Sequence, residues 1–459
     1  VLPSAVPQTA PRGAGSIRPV AGPTAPNQRI ATLDILRGLA LLGILVLNID
    51  NFSGPEAVHD VPVGTALPAF VGWHAQLDVV ILAVKWMFFE GKMRTLFSML
   101  FGAGIVLLTE RFEHRGQGAE AADIFYRRNL WLLLFGAIHG TLIWGGDILS
   151  QYALVALLCM YPLRRLVART LIILGLAIGI IGGLIGLANF VGAPATLAAE
   201  QLRIEGRAAL AAHRTPTAEQ AAAIAAEAKE KAEAPAQIAQ AVQTGRLSFL
   251  DSIGHRASGY TGFVTALFTN GLILEVVGSM MLGMGLFKGG YLTGMRSRRL
   301  YLSVAATGYA IALPIAFLGI SMAHADGFSA PAVVRWLVLP YSLQIFAGAV
   351  ANASILLLIV RSGWLKPVTG LLGNVGRTAF SNYIATSLLC QLLFAWGPWK
   401  LYGAIEYYQQ LYVVAAVWML NLVFSALWLR TFAYGPLEWG WRSLVYWKPQ
   451  PMLLSRVAG

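Results

Sequence analysis

The sequence predicts an all-α, polytopic membrane protein of about ten transmembrane helices, with both termini on the cytoplasmic side. Three observations predict it. Of 459 residues, 57% are hydrophobic and only 12% are charged, and the mean hydropathy is +0.63. Apolar runs recur at lengths near the ~20 residues a helix needs to cross a hydrocarbon core. Arg and Lys gather between alternate runs, as the positive-inside rule requires. The net charge of +12 is thereby assigned to basic inner loops, and no nucleic-acid partner is expected. A β-barrel would read instead as weak alternating segments of about 10 residues.

Taken in order, residues 1–28 are rich in Pro, Ala and Gly, lack an apolar block, and read as a disordered cytoplasmic tail. Spans at 30–50, 92–110, 128–145, 147–163 and 170–191 form an N-terminal half, 29–193. The segment 77–91, LDVVILAVKWMFFEG, is apolar but short and contains Lys85. If it spanned, the basic loops at 111–128, 164–169 and 288–299 would fall outside, so it reads as amphipathic or re-entrant. Residues 194–258 are Ala-rich and carry charges of both signs; they read as a periplasmic insert of two or three helices, with a start at Thr217 and a break at Pro235. Spans at 260–287, 300–322, 334–360, 370–395 and 409–432 form a C-terminal half, 259–434, followed by a cytoplasmic tail, 435–459. No internal repeat relates the halves, which disfavours an inverted-repeat transporter. Cys159 and Cys390 sit in apolar runs and supply no disulfide framework. Gly175, Gly179 and Gly183 recur every four residues, a face suited to a neighbouring helix or a homo-oligomer.

Ionisable residues within spans cost about 2.5–3.5 kcal/mol each on insertion scales, so each needs a partner or a hydrated cavity. Asp34 and Arg37 share one face of the first span. They form a salt bridge with Arg37 reaching to the interface, or Arg37 is free to hold an anionic group such as a cofactor phosphate. Asn48 and Asp50 close that span at the outer interface, where Asp50 caps or lines a cavity mouth. In AIHGTLIWGGDILSQYA, His139 is either a packed helix–helix contact or a proton acceptor facing an internal cavity. Asp147 either caps the next helix or orients His139 and the acceptor. A straight helix would hold the two about 12 Å apart, so direct contact requires the chain to fold back. Gln151 and Tyr152 extend the polar lining. Glu275 is a relay carboxylate or the partner of an Arg, and the ninth span adds Arg377, Asn382 and Tyr383, with Asn382 read chiefly as interhelical glue. There is no P-loop, HExxH, GxSxG or Cys/His ligand spacing, and no metal is expected.

Five blocks occur in order: TLDILRGLALLGILVLNI, LFSMLFGAGI, GAIHGTLIWGGDILSQYALV, VGRTAFSNYIATSL and YGPLEWGWRSLVYW. Together they resemble the YeiB-like bacterial inner-membrane proteins, whose C-terminal part is a domain of unknown function. That family is similar to the transmembrane acyltransferase superfamily that includes heparan-alpha-glucosaminide N-acetyltransferase. The resemblance implies transfer of an acyl group from acyl-CoA on the cytoplasmic side to a hydroxyl or amine of a sugar or lipid acceptor. It makes His139 and Asp147 the catalytic candidates and Asp34, Arg37 and Arg377 the CoA-holding ones. Asn48, Gln151, Tyr152, Asn382 and Tyr383 are then candidates for contacting substrate; Asp50 and Glu275 lie outside the five blocks and are candidates by their position alone. In the heparan enzyme the catalytic histidine lies near the outer end of the first span; here that region offers only the loop residues His59 and His74. Two other functions fit the same residues: a small-molecule or lipid transporter that uses Glu275 and His139, and a lipid-binding membrane protein that catalyses nothing.

Overall fold

The computed structural model describes residues 30–55, 70, 72–190 and 194–454. The tail 1–28 and His59 lie outside the described residues.

Helix α1 (Ala31–Ser53) is apolar over most of its length and mostly buried. Helices α2 (Ala75–Phe88) and α3 (Lys92–Glu113) follow one another and together make a single 39-residue candidate span. The 22 residues of α3 already reach about 33 Å at 1.5 Å per residue, enough for a ~30 Å core. Helix α2 therefore prolongs α3 rather than crossing separately. It is two-faced: Ile81, Leu82 and Trp86 are buried, while Leu77, Val80 and Val84 are exposed. Helix α4 (Gly118–Ile138) ends in a π-helical turn, His139–Ile143. Helix α5 (Leu149–Val155) continues through a second π-helical turn to Leu163, and α6 (Ala168–Phe190) follows.

Two polar helices come next, α7 (Pro194–Ala211) and α8 (Ala218–Gly245). Thr217 starts α8 through a capping box with Gln220. The expected break at Pro235 is absent, for Pro235 lies inside α8. One backbone hydrogen bond is forfeited there, and the strong helix formers on either side carry the helix through.

The expected single span 260–287 is also corrected. It is two helices, α9 (Ile253–Thr269) and α10 (Leu272–Lys288), bent by 70°. The bend sits at Gly271, whose φ of +71° lies in the left-handed region that glycine enters at no steric cost. Helix α11 (Arg298–Ala325) is capped by Ser297 Oγ, which accepts the Leu300 amide at 3.2 Å. A short helical stretch from Ala330 leads to α12 (Tyr341–Ser362). The chain closes with α13 (Lys366–Arg377), α14 (Ala379–Gln391), α15 (Gln410–Trp428) and α16 (Pro436–Val445).

Seven helices among the described residues are long and apolar enough to cross a membrane, or eight if the bent α9–α10 pair counts as one. The chain is an all-α polytopic membrane protein. The remaining expected spans are α4, which carries Asp123, Arg127 and Arg128, and the shorter apolar stretch Leu149–Leu163. Helix α10 packs along both α3 and α6, α11 along α12, and α1 along α13. Gly175 faces Gly278 and Leu282 of α10, while Gly179 and Gly183 face Phe346 and Ser342 of α12. That glycine face therefore serves contacts within the chain.

Candidate functional site

The π-helical turn after α4 folds the chain back on itself. The Trp144 amide donates to the His139 carbonyl at 2.9 Å, Trp144 is extended, and Gly145-Gly146 return the backbone toward α4. Asp147 thereby meets His139 directly, with Nδ1 2.9 Å from Oδ1. The other carboxylate oxygen, Oδ2, accepts the Ser150 amide at 2.7 Å and so caps the first turn of α5. Asp147 thus combines the capping and orienting roles. Both residues are buried, at 1% and 0% exposure. His139 Nε2 is buried with no hydrogen-bond partner among the described residues. The Tyr383 ring stands 5.0 Å from the imidazole, and its hydroxyl accepts the Ile148 amide at 3.3 Å. Tyr152, fully buried, accepts from Ser98 Oγ at 3.0 Å and donates to the Arg94 carbonyl at 3.3 Å. Gln151 is buried beside it.

A cavity of about 250 Å³ runs from the N-terminal end of α1 to this cluster. Its mouth holds Asp34, Arg37, Arg128, Arg377, Glu438 and Arg442; its interior is walled by Phe97, Leu100, Phe101, Leu132, Leu149 and Ile148, with Tyr152 and Tyr383. Arg37 Nη1 pairs with Asp34 Oδ1 at 2.7 Å. Glu438 is turned toward α14, where it accepts the amides of Phe380 (2.6 Å) and Ser381 (3.1 Å) and the Ser381 hydroxyl (2.5 Å). Neither carboxylate makes a close ion pair with the other three arginines, although Asp34 lies within electrostatic range of Arg377. Arg128 lies over the rings of Trp441 (5.0 Å) and Phe101 (5.9 Å), Arg442 lies over Tyr434 (4.7 Å), and Arg377 keeps a buried, unpartnered Nε. None of the three makes an ion pair among the described residues. Cation–π contacts leave the guanidinium edges free, and four arginines against two carboxylates make the mouth net positive, suited to a polyanion.

The sequence candidates divide into groups. His139, Asp147, Tyr152 and Tyr383 converge, and Asp34, Arg37 and Arg377 share the cavity below them. The expectation that His139 itself faces the cavity is corrected: Tyr383 stands beside it, and neither His139 nor Asp147 is among the lining residues. Asn48 and Asp50 line a second cavity, which shares Ile148 with the first. Asp50, expected at an interface, is buried and pairs with Lys85 Nζ at 2.6 Å, because the Lys85 side chain reaches from α2 to the end of α1. Glu275 pairs with Arg94 Nη2 at 2.7 Å. Asn382 Nδ2 donates to Thr378 Oγ1 (3.0 Å) and Ser425 Oγ (2.8 Å), a fully buried tie between α14 and α15. Arg128 and Arg442 were hidden in the sequence because they read as ordinary inner-loop charges. The block YGPLEWGWRSLVYW was the visible signal for Arg442, since it places Glu438, Trp441 and Arg442 on one helix; nothing in the sequence singled out Arg128.

Fold and site together define a helical membrane protein with a cationic, apolar-bottomed cavity beneath a buried His–Asp pair. The chain belongs to the YeiB-like family. It is 30% identical to an uncharacterized protein, YeiB, of Escherichia coli (strain K12), over 91% of this chain and 96% of that protein. It is 28% identical to YxaH of Bacillus subtilis (strain 168), likewise uncharacterized, over 94% and 97%. A 39.9 kDa protein of Bacillus acidopullulyticus is 27% identical over 95% and 99%. Residues 286–448 match the family described as a protein of unknown function (DUF418). No solved structure matches the chain.

Proposed function

We propose that the protein is an acyl-CoA-dependent transmembrane acyltransferase of the bacterial inner membrane. One observation carries the reading: Arg128, Arg377 and Arg442 make no close ion pair among the described residues, at the net-positive mouth of a cavity whose interior is apolar. A molecule with several phosphates at one end and a hydrocarbon chain at the other satisfies both parts, and acyl-CoA has that form. The arginine-rich end then faces the cytoplasm, as the positive-inside rule requires. The thioester would come to rest near Tyr152, Ile148 and Tyr383, with His139 behind Tyr383.

In this reading Asp147 accepts the proton on Nδ1 and fixes the tautomer, leaving the lone pair on Nε2. Nε2 takes the proton of an acceptor hydroxyl or amine as that atom attacks the thioester carbonyl. The C–S bond breaks, the new ester or amide forms, and the imidazolium, stabilised by Asp147, returns the proton to the departing CoA thiolate. The Tyr383 ring must swing aside for this contact. A second reading, passage of a small molecule or lipid through the bundle, is favoured by the shared wall at Ile148.

The test is CoA release from palmitoyl-CoA or acetyl-CoA by the purified protein in nanodiscs, with candidate alcohols and amines. Acceptor-dependent release that disappears in His139→Gln supports acyl transfer. Absence of both binding and release with every acceptor, together with counterflow in proteoliposomes, would move the assignment to transport.

A further inference from the structure

The second cavity differs in kind from the first. It measures about 190 Å³, and its polar wall is Asn48, Asp50, Asn51, Glu90 and Arg94, with Ile148 at its boundary with the first. Two of the three charges on that wall sit in close ion pairs. Both oxygens of Asp50 accept from Lys85 Nζ at 2.6 Å. Arg94 is engaged by Glu275 at 2.7 Å. Glu90 Oε1 accepts the Tyr341 hydroxyl at 2.7 Å, and the fully buried Lys92 stands beside it without an ion pair among the described residues, its Nζ donating to the backbone carbonyls of Trp86 (2.7 Å) and Glu90 (3.4 Å). Three acids, Asp50, Glu90 and Glu275, thus stand with three bases, Lys85, Lys92 and Arg94. A charged occupant would add a charge with no partner left to balance it, and burying such a charge costs several kcal/mol. An uncharged occupant incurs no such penalty. It can donate to the Glu90 carboxylate and accept from the Asn amides and the guanidinium edge.

We propose that this second cavity binds a small uncharged molecule rich in hydroxyl or amide groups. Ile148 is the partition where that molecule meets the occupant of the first cavity. Ile148 directly follows Asp147, and its amide donates to Tyr383, so the partition is built into the His139 cluster. The binding site stands on its own charge balance; the occupant's role as acyl acceptor rests on the reading above.

The test uses the full chain in nanodiscs, with Cys159→Ala and Cys390→Ala, carrying Asn51→Cys or, as a second reporter, Asn48→Cys. N-ethylmaleimide labelling is timed with glycerol or myo-inositol present, and with sulfate or choline as charged comparators. The labelling rate is expected to fall about tenfold once a neutral probe reaches roughly ten times its Kd, by simple occupancy, and to ignore the charged ones. No protection by either neutral probe, protection by sulfate or choline instead, or no labelling at either reporter overturns the site. For the partition, palmitoyl-CoA is expected to protect only in the Ile148→Ala background; equal protection in both backgrounds overturns it. Protection by a neutral probe without CoA release in any assay leaves the binding site standing and removes the acyl-transfer reading.

Discussion

Gly38 and Gly376 bring the backbones of α1 and α13 into contact. A Cβ on Gly38 would fall 3.2 Å from the Gly376 nitrogen and 2.0 Å from the Leu372 carbonyl oxygen; one on Gly376 would fall 1.8 Å from the Asp34 carbonyl oxygen. This approach is what sets Asp34, Arg37 and Arg377 around one cavity mouth. Gly376→Ala must push the helices apart, and overpacking of this kind costs about 1–3 kcal/mol. A lower Tm and weaker palmitoyl-CoA binding are expected. Gly370→Ala is the control: it lies on the same helix, and its added Cβ meets nothing within 4 Å, so neither quantity should move.

The buried contact between His139 and Asp147 predicts strong coupling. Asp147→Asn and His139→Gln each leave a buried polar partner unsatisfied, which costs about 1–3 kcal/mol. The double variant should lose less than the sum, with an interaction energy of about 0.5–3 kcal/mol in a denaturation cycle. Strict additivity of the two losses would mean that the pair does not act as a unit.

Much of the architecture was legible in the sequence because a bilayer leaves few solutions. Each of the ten apolar runs became helix, since unpaired backbone groups cannot face lipid. What hydropathy could not see was direction within a run. The kink at Gly271 and the fold-back through His139–Ile143 change where side chains point without changing how apolar the segment is. Helical geometry alone set His139 and Asp147 about 12 Å apart, and the π-helical turn with Gly145-Gly146 closes that gap to 2.9 Å. That Glu275 meets an arginine was one of two open readings, but which arginine, and that Asp50 meets Lys85, was equally invisible. Which charges meet across 35 or 181 residues is decided by helix packing, not by local pattern.

The arginine mouth yields a graded prediction. Arg128→Gln, Arg377→Gln and Arg442→Gln should each weaken palmitoyl-CoA binding about tenfold or more, since a hydrogen bond to a charged group contributes about 1.5–3 kcal/mol. The loss should shrink as salt is raised, because screening already weakens the wild-type contact. Arg298→Gln changes an exposed charge that does not line the cavity and should leave the affinity unchanged. Equal effects at all four positions, read by titration calorimetry, would indicate nonspecific attraction.

Asp50 and Lys85 tie α1 to α2 with side chains only 12% and 4% exposed. The ammonium also lies 4.6 Å over the Tyr407 ring. Removing one partner strands a buried charge, at a cost of about 3–5 kcal/mol. Asp50→Asn or Lys85→Met alone should therefore lower Tm sharply. The double variant, which buries no charge, should recover most of the loss. A double variant as unstable as the worse single would show that the segment depends on Asp50 for something besides the pair.

Glu438 supplies a pH dependence outside the spanning helices. Burial pushes its carboxyl pKa up, and this outweighs the donors from Phe380 and Ser381 that favour the carboxylate. The folded pKa therefore lies above the unfolded one. The folded protein holds the proton more tightly, so this group's stabilising contribution is full at acidic pH. It is lost as pH rises through the raised folded value. Glu438→Gln, neutral throughout, should remove that slope. Its Tm relative to wild type should rise from acid toward neutral pH, measured in one detergent at constant ionic strength. A difference in Tm that stays flat across that window, or that falls, would show that Glu438 is held as a carboxylate by the α14 amides.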